Sequence, residues 1–521
     1  MSEPLHLLGQ QLTPADWSAT PESVKWSILV QLSQQINQLE QANQQLRTRV
    51  TELEERLKRN SKNSSQPPSQ DAPQAKSGKG DKGGFGKSNR PPRPRRTRQP
   101  PQQPLYPSEA CQAIHEQIPS HCSGCGHPLS GEDETPHRHQ VVDLPPIIPA
   151  VTEYRLHRLR CSHCGTTTRG QLPSGVSQRC YGERLASVVA LLSGEYRQSH
   201  RQVSQLLAAL FSIRLSRQSI NRARQEVSAA VAQSVCAAHH YVQQQRFIHS
   251  DETRFPQGNQ DRRNPQRQQG WLWVLLTPWV RVFSVVLSRS KATAQTLIGK
   301  AFSGYLISDR YSSYNWVALS QRQVCWAHLL RDLQAIAERQ GVSQNIGEAL
   351  LRRAYRLFHW WHRVRDGTMS HDLLMDAVNH LRAGFKAELE EAAHLPLAKG
   401  EKTPLAKTIR TCQQLLKLEE ALWTFVYQPG LEPTNNQAER ALRPAVIWRR
   451  LSFGSQSKAG SDFVARMLTV NATLKAQGRS VLDFLADSCR AARRGVTGPS
   501  LLPKRLDADA PSTTTLALMP G

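Results

Sequence analysis

Three acidic residues stand where short apolar runs stop or a helix begins. They are Asp251 in His249-Ser-Asp251-Glu-Thr253, Asp309 in Ser308-Asp309-Arg-Tyr311, and Glu439 in Asn435-Asn-Gln-Ala-Glu439-Arg-Ala-Leu-Arg443-Pro444. Carboxylate oxygens are hard ligands, so three together suit Mg2+ or Mn2+ rather than zinc. Two such ions about 3.5 to 4 Å apart activate a water or a 3′-hydroxyl for in-line attack on a phosphodiester and stabilise the leaving oxygen. Arg440 and Arg443 follow Glu439 on the same helix and would neutralise the phosphate brought there. Taken singly, each acid is more often a solvated charge or a helix cap; only as a set do they make a metal site.

The surrounding elements must bring the acids together. Residues 246–250 are extended and apolar in the middle and end at Asp251; 270–277 and 280–287 read as two more strands, Lys291 opens a helix, and Tyr305–Ser308 is a strand ending at Asp309. The first two acids then sit at strand ends 58 residues apart in sequence (309 − 251), and ends of neighbouring strands lie close in space. A short strand at 322–326 and a helix from Ala327 follow. Glu439 comes 130 residues after Asp309 (439 − 309), a gap that calls for an inserted helical subdomain, and 350–364 and 405–427 carry its apolar spacing. Glu252 neighbours the first acid on a strand and should point to the opposite face, a bystander rather than a ligand. His328, in Cys325-Trp-Ala-His328, either orients a phosphate, buttresses the metals or caps the helix that follows. Trp316, Trp360 and Trp361 either stack on a DNA end or belong to helix cores, the latter being the usual place for such residues.

The chain is 521 residues long and strongly basic, with 67 Lys+Arg against 42 Asp+Glu, a net charge of +25. That balance points to a polyanionic partner, nucleic acid or an anionic membrane surface. Membrane is the weaker choice, because the strongest apolar run, Trp271 to Thr277, is only strand length. The N-terminus lacks the basic segment and apolar block of a secretory signal. Of the ten cysteines, four fall in two CxxC pairs and the rest are scattered, which fits a reducing, intracellular compartment rather than a disulfide framework.

Upstream lie modules of another kind. Leu29, Ile36, Asn43, Val50 and Leu57 recur every seven residues, with Leu32, Leu39, Leu46 and Leu53 three positions later. This a/d pattern is that of a parallel two-stranded coil whose polar Asn43 fixes register, and it implies a homodimer or higher oligomer through residues 29–57. One amphipathic helix packed on its own domain is the alternative. From residue 61 to 105 the composition turns to Ser, Gln, Pro, Gly, Lys and Arg, a disordered basic linker that either serves as a leash for phosphates or is only a solvated connection that happens to be basic. Cys122-Ser-Gly-Cys125-Gly126 and Cys161-Ser-His-Cys164-Gly165 are two thiolate knuckles, separated by a strand-like 151–160, that can close around one structural Zn2+. His127 and His163 are substitute ligands. Helical patterns at 199–211 and 216–230 form a helix-turn-helix, with Ser199 and Ser216 as N-caps. Its second helix would present Arg217, Gln218, Asn221, Arg222 and Arg224 to a DNA groove; any three-helix core has such a turn, so a purely structural role is the alternative.

These motifs, in this order, resemble those of the IS66-type transposases of bacterial insertion sequences, and the resemblance covers nearly the whole chain. Phe453-Gly-Ser455 and the stretch from Thr473 to Leu485 are similar to that family's ending. The resemblance implies that Asp251, Asp309 and Glu439 are the DDE triad of an α/β RNase H-like catalytic domain with a helical insertion. It implies binding to double-stranded DNA, both terminal inverted repeats and target, with small accessory proteins of the same element as further partners, no membrane, and a cytoplasmic, nucleoid-associated location. Water would be the first nucleophile and the freed 3′-hydroxyl the second. The expected domains are a coiled coil (1–60), the basic linker (61–105), a zinc domain (106–178), the helix-turn-helix region (179–240), the catalytic domain (245–455, insertion about 340–428), C-terminal helices (456–493) and a disordered tail (494–521). A DNA-binding regulator with a degenerate catalytic domain and a structure-selective nuclease on the same fold are the competing functions.

Overall fold

The computed structural model describes residues 5–7, 10–12, 14–58, 105–174, 176 and 178–503. Apart from Leu105, the basic linker expected at 61–105 lies outside the described residues, as does the part of the expected tail beyond 503. Two short strands, β1 (Leu5–Leu7) and β2 (Gln10–Leu12), pair antiparallel ahead of α1 (Pro14–Ala19) and α2 (Glu22–Lys58). α2 runs unbroken for 37 residues, about 55 Å at the α-helical rise. Its heptad seam is uncovered: Leu29, Ile36, Leu39, Leu46 and Val50 are all exposed, Leu46 at 63%. Helices draw most of their stability from burying an apolar face, so this seam supplies the motive for a partner. The side chains of Leu53 and Leu57 lie outside the described residues.

Residues 105–180 hold little regular structure. The hairpin of β3 (Arg158–Arg160) and β4 (Thr167–Arg169) has three residues on each side. The strand expected over 151–160 is realised only in its last three residues. Val151 is 85% exposed, and β-branched residues favour strands only when there is a surface to pack on.

Next come α3 (Glu183–Gly194), α4 (His200–Phe211), α5 (Arg217–Ala230) and α6 (Ala232–Gln243). Both expected caps form. Ser199 and Gln202 make a reciprocal capping box at α4, and Ser216 Oγ accepts from Ser219 N at 3.1 Å at α5.

A five-stranded sheet follows, built from β5 (Phe247–Arg254), β6 (Trp271–Leu276), β7 (Arg281–Val286), α7 (Lys291–Ile298) as crossover, β8 (Tyr305–Ser308) and β9 (Arg322–Val324), then α8 (Trp326–Ala337). Its order is β7-β6-β5-β8-β9; β5, β6 and β7 run antiparallel in succession, and β8 and β9 run parallel to β5. One boundary differs from expectation: β5 continues to Arg254, so Asp251 lies inside a strand, paired with Val274 of β6. β6 is the longer partner and keeps β5 extended after pairing with β8 stops at His249.

The insertion consists of α9 (Val342–Arg365), α10 (His371–Ala393), α11 (Pro404–Leu416) and α12 (Glu419–Tyr427). Its core gathers around Trp326, whose ring meets Trp423 at 5.3 Å and Phe385 at 5.7 Å. Trp326 Nε1 donates to the Leu422 carbonyl at 2.7 Å, so the buried indole is both packed and satisfied. Trp360 and Trp361 pack against this core. The chain then forms α13 (Asn436–Ser452), α14 (Lys458–Ala476) and α15 (Val481–Arg494).

The chain divides into two compact units. One contains the N-terminal elements up to α2 and residues 238–457; the other contains the described residues from 105 to 237 and returns for 458–501. The C-terminal helices α14 and α15 therefore complete the unit of α3 to α5 rather than standing apart. Among the described residues no helix is long and apolar enough to cross a membrane.

Candidate active site

Strand pairing leads up to the first two acids. β5 and β8 pair Phe247 with Tyr305, Ile248 with Leu306 and His249 with Ile307, an offset of 58 at each step (305 − 247). That ladder stops at His249 and Ile307, and Asp309 follows one residue past the end of β8, near enough for its charge to bear on the Asp251 carboxyl. Within β5, residues i and i+2 share a face, so Asp251 lies on the face of His249. Asp309 Oδ1 accepts from the Tyr311 amide at 2.9 Å. Below it, the wholly buried Arg322 donates to the Asp309 carbonyl at 2.9 Å and to Asn315 Oδ1 at 2.7 Å. Burial draws the Arg322 guanidinium down to about 10, still charged at neutral pH, and its two anchors fix the turn that carries Asp309.

Glu439 sits in the first turn of α13, and that helix is pinned at both ends to the segment that carries Asp251. At the start, the fully buried Asn435 donates from Nδ2 to the Ser250 carbonyl at 2.7 Å, and its backbone N–H donates to Cys325 Sγ at 3.1 Å. Its Oδ1 is left to accept from His249 Nδ1 at 3.0 Å, which sets the neutral tautomer of that ring. Burial pushes His249 down to about 4, so it stays neutral. At the other end, the Ser455 amide donates to the Pro256 carbonyl at 3.0 Å. Gly454, at φ +102°, is required there because a Cβ would stand 2.2 Å from the Pro256 oxygen.

Three acids bear on the Asp251 carboxyl, although Asp251, Asp309 and Glu439 do not all bring an oxygen within 4.8 Å of one another. Burial raises the Asp251 carboxyl well above the usual range, and the neighbouring charges of Glu252, Asp309 and Glu439 push it further. Among the described residues its one hydrogen bond comes from the Glu252 amide at 2.8 Å. A buried, under-bonded carboxyl with three acids bearing on it fits hard divalent ions, and the all-oxygen donor set of Asp251, Asp309 and Glu439 matches Mg2+ or Mn2+. Glu439 finds its basic partners on α8, not on its own helix: its Oε1 lies 3.5 Å from Arg331 Nη2 and 3.5 Å from His328 Nδ1. Arg440 and Arg443, expected to flank it, are exposed.

Glu252 turns to the opposite face of β5. Its side chain is wholly buried, accepts from Arg289 Nε at 2.7 Å and is bonded to the Tyr314 hydroxyl. Arg289 in turn stacks 3.5 Å over the Tyr311 ring. This buried pair braces the back of the two acid-bearing strands. Sequence reasoning passed over Arg289, Arg322, Arg331, Asn435 and Tyr314. Asn435 alone offered a signal, as an N-cap residue type one position before a helix.

The cysteine knuckles are built alike. Cys122 N donates to the His127 carbonyl at 2.8 Å and Gly126 N to the Cys122 carbonyl at 2.9 Å; Cys161 with Thr166, and Gly165 with Cys161, repeat those bonds at 2.8 and 2.9 Å. Gly126 and Gly165 hold φ values of 74° and 72°. Within the knuckles, hydrogen bonds from Cys125 and Gly124 lower Cys122, and bonds from Thr166 and Cys161 lower Cys164, which favours thiolate. Around them the apolar residues Val141, Leu144, Ile148 and Val151 are exposed. A region without an apolar core, carrying two thiolate-favouring turns, fits a structural ion held by Cys122, Cys125, Cys161 and Cys164. No three of the four thiols lie within 4.8 Å of one another. His127 and His163 are exposed.

Of the residues expected to face a groove, Arg217, Gln218 and Arg222 are exposed on α5 and Asn221 is half-buried. Arg224 is turned inward: it contacts His200 Nε2, stacks 4.1 Å over Phe463, and burial draws it down to about 10. Helical spacing explains this, since residue 224 shares a stripe with the buried Ile220, Ala223 and Val227.

With this geometry in hand, three family models match the chain. Residues 179–462, more than half of it, match a model described as the transposase IS66 family. The chain belongs to the IS66 transposase family. Residues 119–165 match the zinc-finger binding domain of transposase IS66, a span that holds all four knuckle cysteines and supports a structural zinc. Residues 20–93 match a family of unknown function. The IS66 chain is also 28% identical over 206 residues to an uncharacterised protein of Sinorhizobium fredii, covering 37% of each chain.

Proposed function

We propose that this transposase cleaves DNA at the ends of its element and joins the freed 3′-hydroxyls to target DNA, using Asp251, Asp309 and Glu439 as a DDE triad on an RNase H-like sheet. The observation that carries the reading is that the charges of Asp309 and Glu439 both bear on the buried Asp251 carboxyl, while Asn435 ties the helix of Glu439 to the strand of Asp251. Two divalent ions, when bound, supply activation of the attacking oxygen and stabilisation of the leaving one. The protein's own part is positional. β5 carries Asp251, the turn after β8 carries Asp309, α13 carries Glu439, and Arg331 beside Glu439 adds the positive charge that a scissile phosphate needs.

The remaining modules serve end recognition. The exposed Arg217, Gln218 and Arg222 of α5 read the terminal inverted repeats, with Asn221 at the edge of that surface. The uncovered seam of α2 dimerises the protein, as pairing of two DNA ends requires. Work at the nucleoid follows from these partners. The test is joining: a labelled 3′-hydroxyl end bearing the element's inverted repeat is incubated with target DNA, Mg2+ and the full-length protein, with and without the element's accessory proteins. Joined product supports transposition. Cutting without joining leaves a nuclease, and binding without cutting leaves a regulator.

A further inference from the structure

Two helix N-termini converge beside the acids, and they bring together a donor set different from the one the triad offers. Cys325 is the N-cap of α8 and His328 lies one turn later, so both occupy one face. Glu439 occupies the first turn of α13. The two starts are tied by Trp326 N to the Pro433 carbonyl at 3.0 Å and by Asn435 N to Cys325 Sγ at 3.1 Å. Sulfur, imidazole nitrogen and carboxylate oxygen all lie within 4.8 Å of one another, and no other group of three His, Cys, Asp or Glu among the described residues is that tight.

Arg331 Nη2 also stands 3.5 Å from Glu439 Oε1, and the spacing from His328 to that oxygen fits a shared metal ion. His328 Nδ1 stands 3.5 Å from Glu439 Oε1 and is buried without any hydrogen-bond partner. A hydrogen bond would close to about 2.7–3.2 Å. Nitrogen and oxygen sharing a tetrahedral Zn2+ at about 2.05 Å each would stand about 3.3–3.4 Å apart, close to what is found. An imidazole nitrogen that is buried, unpartnered and aimed at a carboxylate across that gap is costly unless something fills it.

We infer that Cys325, His328 and Glu439 form a site for a borderline divalent cation, Zn2+ by donor type, distinct from the four-cysteine knuckles and competing with Mg2+ for Glu439. Thiolate and imidazole select zinc over magnesium. Binding transfers the Cys325 thiol proton to solvent, forms Zn–S, Zn–N and Zn–O bonds, and leaves a fourth position for water. Because the ion takes Glu439, zinc loading would silence the reaction proposed above. That consequence rests on the triad reading; the binding site does not.

The experiment is metal stoichiometry on the full-length protein, equilibrated with micromolar Zn2+ in excess Mg2+ so that all-oxygen sites are occupied, and repeated with Co2+ to reveal sulfur ligation by its charge-transfer band. Wild type should hold two zinc ions per chain. Cys325→Ser and His328→Gln should each hold one, and Cys161→Ser should lose the other while keeping the site here. His328→Gln is the safeguard against misfolding, because that side chain is a third exposed and its Nδ1 bonds to nothing. Each variant's cleavage, measured relative to itself in Mg2+ alone, should be lost with Zn2+ in wild type and retained in His328→Gln. One zinc per wild-type chain, or two in both Cys325→Ser and His328→Gln, overturns the proposal. Two zinc ions in a protein that never cleaves in Mg2+ leaves the site standing and removes the triad reading instead.

Discussion

Asn435 is the residue whose loss should most clearly separate positioning from chemistry. It touches no reacting atom in the proposed mechanism, yet its side chain bridges Ser250 and His249 on the strand of Asp251, while its backbone opens the helix of Glu439. Asn435→Ala removes the acceptor of the His249 Nδ1–H and the donor to the Ser250 carbonyl, leaving both buried and unpaired. At about 1–3 kcal/mol for each such group, the catalytic unit should lose about 2–6 kcal/mol of stability. Cleavage should fall further than stability explains, because a shift of about 1 Å in a positioned group costs on the order of 100-fold. The assay pairs urea melts with single-turnover, Mg2+-dependent cleavage at a temperature where the variant is folded. DNA affinity should be unchanged, since α5 is untouched. A variant that melts and cleaves like wild type would refute the claim that Asn435 sets the triad.

Other consequences follow from the same coordinates. Asp251 has a raised carboxyl in the folded protein, so the folded state holds its proton more tightly than the unfolded one, and metal-free stability is lost as pH climbs above the ordinary value of about 3.9. Asp251→Asn should therefore melt higher than wild type at neutral pH in EDTA, with the gap closing in acid, while cleaving nothing; a lower melting temperature at neutral pH would contradict this. Arg222→Ala should weaken DNA binding and reduce the slope of log affinity against log salt by about 0.9 if it meets one phosphate, without moving the melting temperature. Arg224→Ala should do the reverse, through lost packing on Phe463. Leu39→Asp with Leu46→Asp should lower the mass seen by sedimentation and leave the melting of the catalytic unit intact; an unchanged mass would remove the coiled-coil proposal.

Much of the sheet was legible because its signals are local. Apolar runs bounded by turns marked β6, β7 and β8, and the caps Ser199 and Ser216 marked the starts of α4 and α5. The 58-residue offset between the first two acids equals the offset of the β5–β8 ladder, which itself stops two residues short of them. What escaped was whatever depends on a partner distant in sequence. Arg331 reaches Glu439 across 108 residues and Arg289 reaches Glu252 across 37, and no spacing rule announces either. Arg440 and Arg443 looked like the partners of Glu439 because they are near it in sequence, but the carboxylate lies on the side of α13 that meets α8. Arg224 misled for a related reason: its type suggested a groove, whereas its helical phase put it on the buried stripe. The strand at 151–160 failed because propensity without a packing surface does not make a sheet.

The central claim is that Glu439 completes a metal-dependent triad with Asp251 and Asp309. It is tested most directly by Glu439→Gln, which removes the charge and keeps the shape, in a cleavage and end-joining assay on DNA bearing the element's own ends with Mg2+. The account predicts loss of both products with DNA binding retained. A Gln variant that still cuts and joins at the wild-type rate would contradict it.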